Sequence, residues 1–370
     1  MQKRRCILLY PLSLIYGLVT EIRNFLFNTG IIKSHELSIP IICVGNITAG
    51  GTGKTPHTEY LADLLRKNFK VALLSRGYKR KTKGFLLAQK GSSVTDIGDE
   101  PLQVFRKYPD ITIAVDGNRV RGAHKIIQER PETNVILLDD GFQHRRLTPG
   151  LSILLSDYNR LMTRDYLLPF GNLRESIHNM SRADIIIITK SPREITPMQK
   201  RILTKEIRKA PYQSLYFTVL NYSDPFPVFE EKERSKLFMT SGEETGIVLV
   251  TGIANPGPLL DFLKKKYKEI VHLSFRDHHE YSEKDMDRIY ESWKNLRKES
   301  RFVFTTEKDA VRLRELSNIP ESLKSSLYYI PVVIDFLYDK KTEFDNMISG
   351  YVRKNKRNNR ISERKRHHRS

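Results

Sequence analysis

The sequence predicts an α/β protein of two units, one of which carries a phosphate-binding loop. An apolar run at residues 41–45 leads into a glycine-rich loop that ends in Gly-Lys-Thr and opens a helical pattern. A second apolar run at residues 135–138 ends in two aspartates, and a further series of apolar runs and helical patterns begins near Gly246. Buried strands that alternate with helices are typical of parallel sheets covered on both faces.

The glycine-rich loop has the composition that phosphate binding requires. Gly50, Gly51 and Gly53 let the backbone turn its N–H groups toward phosphate oxygens. The following helix adds the positive end of its dipole, Lys54 can reach the β- and γ-phosphates, and the Thr55 hydroxyl suits Mg²⁺. We therefore predict that a nucleotide binds to the loop formed by Thr48, Ala49, Gly50, Gly51, Thr52, Gly53, Lys54 and Thr55.

Asp139 and Asp140 follow the apolar run at residues 135–138. An acid at the end of a strand is the usual Mg²⁺-holding partner of a phosphate loop, because both lie at the carboxyl edge of one sheet. Such acids also cap helices, but the Gly-Lys-Thr loop in the same chain favours metal binding. The sequence predicts a metal site here without distinguishing which aspartate contacts the ion.

Other polar residues also follow predicted strands or lie in loops between them. Arg76 follows the apolar run at residues 71–74, and functional residues gather at such strand ends. Asp99 precedes a helical segment, where the local sequence favours a helix N-cap. Arg174 and Glu175 fit a structural ion pair, although an arginine in such a loop also suits bidentate binding of phosphate.

The chain of 370 residues carries a net charge of +20, part of which is concentrated at its end. Residues 353–370 contain nine Lys or Arg and one acid, Glu363. We predict a disordered basic tail over residues 346–370, with an anionic surface as its partner. No nucleic-acid motif or aromatic interleaving accompanies the charge, which argues against a nucleic-acid partner. Two cysteines, Cys6 and Cys43, fit a reducing compartment rather than a disulfide framework.

Residues 1–30 predict an N-terminal helix at a membrane interface. The basic residues 3–5 precede an uncharged stretch, residues 6–19, that covers roughly 21 Å as a helix and is too short for a hydrocarbon core of about 30 Å. The apolar residues that follow helical spacing are Leu12, Ile15, Tyr16, Val19, Ile22 and Leu26. This pattern favours a helix lying in the interface, and the alternative is a helix packed on the protein's own surface.

The second series of elements predicts a second α/β unit. Strands are predicted at residues 247–251 and 301–305, and segments 212–228 and 328–334 are predicted to connect the two units. Between the strands lie His278 and His279, which would point to opposite faces of an extended segment. The sequence therefore does not predict a zinc site at these histidines.

Seven motifs together resemble the tetraacyldisaccharide 4′-kinase family of lipid A biosynthesis. They are Gly-Asn-x-Thr-x-Gly-Gly-Thr-Gly-Lys-Thr-Pro, Ser-Arg-Gly-Tyr, Gly-Asp-Glu-Pro, Asp-Asp-Gly-Phe-Gln-His, Leu-Pro-x-Gly-x-Leu-Arg-Glu, Gly-Ile-Ala-Asn-Pro and Asp-His-His-x-Tyr. They follow the family's order up to about Asp309. Thr48, which stands where the general loop pattern has its first glycine, is the family's own form.

The resemblance implies transfer of the γ-phosphate of ATP to the 4′-hydroxyl of a tetraacyldisaccharide 1-phosphate, forming lipid IVA. It implies ATP and Mg²⁺ as cofactors, a lipid disaccharide as substrate, and work at the cytoplasmic face of a Gram-negative inner membrane, where we expect a peripheral monomer on an anionic surface. It also implies two α/β/α lobes joined by a two-stranded linker. The expected division is residues 1–30 for the interface helix, 31–210 for the kinase domain, 211–345 for the second domain with its linker strands, and 346–370 for the tail.

The resemblance also assigns roles to residues. Asp99 matches the family's general base and His278 the residue that pairs with it from the second lobe, so that the pair is expected to form when the lobes close. Asp139 and Asp140 match the metal-side acids. The residues expected to line the substrate site are Asn46, Arg76, Gln143, Arg174 and Glu175.

Two other classes share parts of the pattern. A membrane-associated positioning ATPase also has a glycine-rich loop and an amphipathic helix, but Ala49 stands where its signature lysine would precede the paired glycines. A GTPase-like module is suggested by Thr189-Lys190-Ser191-Pro192, which lacks the Asn and Asp that would read the base. Transfer of label from ATP to a lipid acceptor, rather than to free phosphate, distinguishes the kinase from both.

Overall fold

The computed structural model describes residues 7–229, 243–316 and 318–367, and the chain forms two compact units. Unit 1 comprises residues 1–90, 104–220 and 334–370, and unit 2 comprises residues 91–103 and 221–333. These units differ from the expected division at three places, the first being residues 211–220, which lie in unit 1 rather than in the second domain. Residues 91–103 belong to unit 2 rather than to the kinase domain, and residues 334–345 belong to unit 1.

Fourteen strands form two sheets in the described part of the chain. The strands are β1 (Ile41–Gly45), β2 (Val71–Ser75), β3 (Leu86–Leu87), β4 (Thr112–Val115), β5 (Val135–Asp139), β6 (Leu151–Asp157), β7 (Ile185–Thr189), β8 (Ser214–Tyr222), β9 (Phe226–Pro227), β10 (Thr245–Thr251), β11 (Glu269–Ser274), β12 (Ser300–Thr306), β13 (Leu327–Ile330) and β14 (Val332–Phe336).

Eleven α-helices accompany these strands in the described residues. They are α1 (Tyr10–Asn28), α2 (Lys54–Arg66), α3 (Val94–Ile97), α4 (Asp99–Lys107), α5 (Arg119–Glu129), α6 (Pro197–Ile207), α7 (Gly257–Lys264), α8 (Glu283–Lys294), α9 (Glu307–Leu313), α10 (Glu321–Lys324) and α11 (Lys341–His367).

The sheet of unit 1 has the strand order β14-β8-β7-β6-β1-β5-β2-β4-β3. The pairs from β8 to β4 are parallel, and β3 runs antiparallel to β4. Every residue of β1, β2, β5, β6 and β7 is buried, as expected for strands covered on both faces. Because β1 lies between β5 and β6, the loops that follow β1 and β5 leave the same edge of the sheet.

Unit 2 has its own sheet, in the order β11-β10-β12-β13-β9. The pairs among β11, β10, β12 and β13 are parallel, and β9 is antiparallel to β13. The chain passes from one unit to the other within β8 and again within β14, which are neighbouring strands. This confirms the expected fold class of two α/β parts joined by a two-stranded linker.

The N-terminal segment is helical, as its spacing predicts, and Pro11 lies in the first turn of α1. The helix buries small and polar residues rather than its apolar stripe: Ser13, Gly17, Thr20, Asn24 and Phe27 face the protein. By contrast, Leu12, Ile15, Val19 and Ile22 are each more than half exposed. No helix among the described residues is long and apolar enough to cross a membrane. The basic residues 3–5 lie outside the described residues.

The prediction of a disordered tail from residue 346 is wrong for its first part, which continues α11. Phe344, Ile348 and Val352 are fully buried in the core of unit 1, and Tyr351 donates a hydrogen bond to the carbonyl of Ile41 at 3.3 Å. These apolar residues recur every four positions, which is helical spacing. The basic composition that follows concealed this pattern. Side chains beyond Asn355 lie outside the described part.

Candidate active site

The phosphate loop between β1 and α2 has the backbone conformation that its glycines predict. Gly50 and Gly53 have φ angles of 102° and 85°, in the region that residues with a Cβ seldom adopt. Gly53 precedes the first residue of α2, Lys54, so the helix N-terminus faces the loop. A Cβ at position 50 would come within 3.0 Å of the Arg160 guanidinium. The loop therefore has the geometry of an anion-binding helix N-terminus.

Lys54, Asp140 and Arg174 form a charged group at the carboxyl edge of this sheet. Asp140 Oδ1 lies 3.6 Å from Lys54 Nζ, and its Oδ2 lies 3.3 Å from Arg174 Nη1. Burial alone would raise the pKa of Asp140, but the charges of Lys54 and Arg174 outweigh it and lower the pKa. The carboxylate is thus ionised at neutral pH.

Asp139 is buried and its Oδ1 accepts a hydrogen bond from Thr58 Oγ1 at 3.3 Å. The Thr55 side chain follows Lys54 at the start of the same helix, α2. A hydroxyl and carboxylates are the hard oxygen donors that Mg²⁺ prefers, usually together with phosphate oxygens. In the described part of the chain, no group of three or more His, Cys, Asp or Glu side chains is arranged to hold a metal alone.

Three of the predicted substrate residues bond to the protein itself. The amide Nδ2 of Asn46 donates to Thr52 Oγ1 at 2.7 Å, and Gln143 Nε2 donates to the Asn46 carbonyl at 2.7 Å. Glu175 is buried and pairs with Arg182 rather than with Arg174. Burial raises the pKa of Glu175 despite that arginine.

A cavity of about 440 Å³ opens in unit 1 beside these residues. It lies where α1, the start of α5 and the loop after β5 meet, and most of its polar lining is basic. The lining residues are Arg23, Phe27, Ile32, Gly117, Asn118, Arg119, Val120, His144, Arg145, Arg146 and Leu147. Such a concentration of guanidinium groups favours an anionic ligand.

Arg119 is the buried member of this basic lining, with 3% of its surface exposed. Its Nη1 donates to the carbonyl of Asp116, while its Nε and Nη2 have no hydrogen-bond partner among the described residues. Burial, helped by the charge of Arg76, lowers the pKa of Arg119 to about 10, so the guanidinium stays charged at neutral pH. The pKa of His144 falls to about 4 through burial and the charges of Arg119 and Arg76. The predicted residue Arg76 does not line this cavity, but its charge lowers the pKa of both Arg119 and His144.

Asp99 and His278 lie together in unit 2. Asp99 begins α4, and its Oδ2 lies 2.9 Å from His278 Nδ1. The structure shows this pair formed, and its dependence on closure of the lobes stays a prediction.

Two further cations complete this cluster. Arg312 contacts Asp99 Oδ2 through Nη2, and Lys308 Nζ lies 2.9 Å from His278 Nε2. An ammonium donates to an unprotonated ring nitrogen, so the tautomer that fits has its proton on Nδ1, toward Asp99. Burial would raise the pKa of Asp99, but the hydrogen bond from His278 and the charges of Lys308 and Arg312 hold it well below its usual range.

The sequence reasoning missed Arg119, Lys308 and Arg312. Arg119 is the first residue of α5 and follows the loop after β4. It therefore lies near the end of a strand, as Arg76 does. Lys308 and Arg312 lie one turn apart on α9, at the carboxyl end of β12. The strand-end rule could have identified all three.

The parallel sheet, the loop between β1 and α2, and the acids after β5 define a phosphate-loop enzyme that acts on nucleotides. The family model described as tetraacyldisaccharide-1-P 4′-kinase matches residues 5–353. The chain belongs to this family, which confirms the resemblance and the predicted class of enzyme, a kinase.

Individual relatives agree along nearly the whole chain. A tetraacyldisaccharide 4′-kinase of Bacteroides thetaiotaomicron is 46% identical, with 98% of this chain and 97% of that protein covered. One from Phocaeicola vulgatus is 48% identical, with 96% and 97% covered. A crystal structure of LpxK from Aquifex aeolicus, described as the "apo" form in complex with ATP, is 28% identical with a TM-score of 0.72, covering 93% of this chain and 98% of that one.

Proposed function

We propose that the protein transfers the γ-phosphate of ATP to the 4′-hydroxyl of a tetraacyldisaccharide 1-phosphate. The observation that carries the proposal is the phosphate loop with Lys54, Asp140 and Arg174 at one sheet edge. Family membership supplies the acceptor, and the relative solved with ATP supports the donor.

Phosphoryl transfer requires mainly positioning and neutralisation of charge. In this proposal the loop N–H groups and Lys54 bind the β- and γ-phosphates, and Arg174 binds the transferred group. Thr55 with Asp139 or Asp140 would hold Mg²⁺, which supplies charge neutralisation on the phosphates when bound. The oxygen donors of these side chains fit that ion.

Asp99 would accept the proton of the attacking hydroxyl, with His278 orienting its carboxylate. The low pKa of Asp99 makes it a weak base, which is compatible with a loose transition state in which the hydroxyl loses its proton late. We propose that Asn46, Gln143 and Glu175 support the site rather than bind the substrate, since each uses one polar atom to bond the loop, Asn46 or Arg182.

The basic cavity would bind the phosphate that the acceptor already carries. Two donors of the buried, charged Arg119 are unpaired among the described residues, and a buried charged donor without a partner is costly. A phosphate monoester would satisfy both in the bidentate geometry that guanidinium favours. Arg146, which lines the cavity, and Arg76, which does not, would add electrostatic attraction.

The exposed apolar face of α1 would lie in the headgroup region of the membrane that contains the acceptor. Leu14, Leu18 and Phe25 are 58%, 62% and 61% exposed on this helix. Burial of such a face in a bilayer interface stabilises peripheral binding. For a kinase of lipid A synthesis, we therefore propose the cytoplasmic face of a Gram-negative inner membrane as the site of action.

The test is transfer of label from γ-labelled ATP to a disaccharide lipid with purified protein and Mg²⁺. We expect label on the lipid and a loss of orders of magnitude for Lys54→Ala in a folded protein. Lys67→Ala, at the other end of α2, is the matched control because its exposed ammonium pairs only with Asp63 among the described residues. Release of free phosphate without labelled lipid would contradict the proposal.

A further inference from the structure

Each carbonyl of the phosphate loop from Ala49 to Gly53 accepts a hydrogen bond from a side chain. The donors come from the loop after β1, from α2, from the segment after β6, and from the end of β7 and the residue that follows it. The pairs are Ala49 with Arg160 Nη2 at 2.7 Å, Gly50 with Asn46 Nδ2 at 3.4 Å, Gly51 with Lys190 Nζ, Thr52 with Thr189 Oγ1 at 2.8 Å, and Gly53 with His57 Nδ1 at 2.7 Å.

Lys190 has the most constrained geometry of these donors. It follows β7 with a φ of 54°, a conformation that is uncommon for a residue with a Cβ. Its Nζ donates both to the Gly51 carbonyl and to Asp157 Oδ2, the latter at 2.7 Å. Residues in such backbone conformations cluster at functional sites. The ammonium is thus fixed between a loop carbonyl and a carboxylate.

We propose that Lys190 is a positioning residue of the nucleotide site that acts on phosphate through the loop. A peptide unit is planar, with its carbonyl and the next N–H pointing in opposite directions. Holding the Gly51 carbonyl on Lys190 therefore fixes the opposite side of this peptide, where the Thr52 N–H donates to the Gly50 carbonyl at 3.0 Å, and so fixes the turn of the loop that faces the phosphates. The inference rests on the proposed binding of nucleotide phosphates there. A glycine-rich loop loses much conformational freedom when ordered, so fixing it beforehand favours phosphate binding.

This role explains the Thr189-Lys190 pair without base recognition. Thr189 Oγ1 and Lys190 Nζ both donate to loop carbonyls, on Thr52 and Gly51. These two residues therefore affect ligand binding through the loop that holds the phosphates, and all nucleoside triphosphates have the same phosphates. Loss of Lys190 should weaken every ligand with the same triphosphate by the same factor, whatever its base.

The test compares Lys190→Met with the parent using three ligands: ATP, GTP and inorganic tripolyphosphate, which has no base. Binding is measured by calorimetry, and KM and kcat by the transfer assay. We expect all three ligands to lose affinity by a common factor of about ten or more, as for a charge-assisted hydrogen bond. The KM for the acceptor should stay unchanged, and Lys190→Arg should recover part of the loss. The exposed Lys205 on α6 provides the matched control, Lys205→Met.

Three outcomes would overturn the proposal. Unchanged tripolyphosphate binding with weaker ATP binding would indicate a base contact, and unchanged binding of all three ligands would remove the role. If Lys190→Met does not fold, Asp157→Asn decides instead, since it removes the second partner of Lys190. A folded Asp157→Asn protein with unaltered tripolyphosphate affinity contradicts the proposal. If the parent protein binds tripolyphosphate but transfers no phosphate to the lipid, the kinase function is refuted and the role of Lys190 is not.

Discussion

Asp140 and His278 share an uncommon backbone conformation, with φ angles of 50° and 58°. A residue with a Cβ held there costs about 1 kcal/mol or more, and such residues cluster at functional sites. Both residues were selected from the sequence, Asp140 because it follows a buried strand and His278 by resemblance. Their conformations and the cations around them are set by long-range packing, which local sequence does not encode.

The first prediction concerns Asp99 and His278. If they act as a unit, separate losses should not add, so Asp99→Ala and His278→Ala should each lower the transfer rate about 10²-fold or more, and the double variant little further. ATP affinity, measured in parallel, should change little. If the two losses of transfer rate multiply in the double variant, the residues act independently and Asp99 has a role other than that of a base coupled to His278.

The second prediction concerns Arg119. Arg119→Met should raise the KM for the 1-phosphorylated acceptor about tenfold or more, because a charged hydrogen bond to phosphate is lost. With an acceptor that lacks the 1-phosphate, parent and variant should differ little, and the KM for ATP should be the same. Equal losses with both acceptors would exclude the basic cavity as the phosphate site.

The third prediction follows from His57, which is 2% exposed and has a pKa lowered to about 4 by burial. A lowered pKa means that the unfolded chain binds a proton more readily. The contribution of neutral His57 to the free energy of unfolding should be fully present above pH 6.5 and be lost as the pH falls toward 4. This loss amounts to about 3 kcal/mol at most. Denaturant unfolding of His57→Gln should show a shallower decline, and an identical slope would contradict the assignment.

At the scale of elements, helical spacing identified α1 but not the face that it buries. Two stripes share this helix: an apolar one, and one of small or polar residues that includes Ser13, Gly17, Thr20 and Asn24. The second stripe packs closely, since a Cβ on Gly17 would lie 2.7 Å from Leu167 Cδ1, and Ser13 Oγ donates to the Leu167 carbonyl at 2.6 Å. Sequence alone cannot rank two such stripes, because an apolar stripe fits a lipid surface as well as a protein core.

The fourth prediction tests the outward face of α1. Leu18→Glu should weaken binding to anionic phospholipid vesicles and raise the KM for micellar acceptor, because it places a charge on an apolar face. Thermal stability should be unchanged, since Leu18 is 62% exposed. Met198→Glu on α6, with 66% exposure, is the matched control and should leave vesicle binding intact. Equal effects of the two substitutions would exclude a specific role for this face.

At the scale of the whole molecule, the sequence indicated two α/β parts, while the exact division depended on long-range contacts. Residues 91–103 precede β4 in the chain, so sequence order assigns them to the kinase domain, yet Asp99 pairs with Arg312, more than 200 positions away in unit 2. Phe344 and Ile348 likewise return the end of the chain to unit 1. The assignment of these segments to a unit depends on contacts between residues far apart in the chain, and no local sequence pattern shows such contacts.

The fifth prediction distinguishes the contributions of the basic C-terminal residues and of helix α1 to binding at an anionic surface. Deleting residues 356–370 removes seven basic residues and one acidic one, but retains the buried Phe344, Ile348 and Val352 and the whole stretch that matches the family model. Thermal stability should therefore be unchanged. Binding to anionic vesicles should weaken at low salt, since a basic residue near such a surface contributes about 1 kcal/mol.

Salt distinguishes this contribution from that of α1. The Debye length falls from about 10 Å at 0.1 M to about 3 Å at 1 M, so high salt should remove the difference between the truncated and full chains while leaving binding through the apolar face. Cosedimentation with anionic and neutral vesicles measures both, and neutral vesicles should not distinguish the two proteins. A difference that persists at 1 M salt would mean that the tail binds by other than electrostatic attraction. Deletion of residues 1–27 should show the opposite pattern, with a loss of binding that high salt does not abolish.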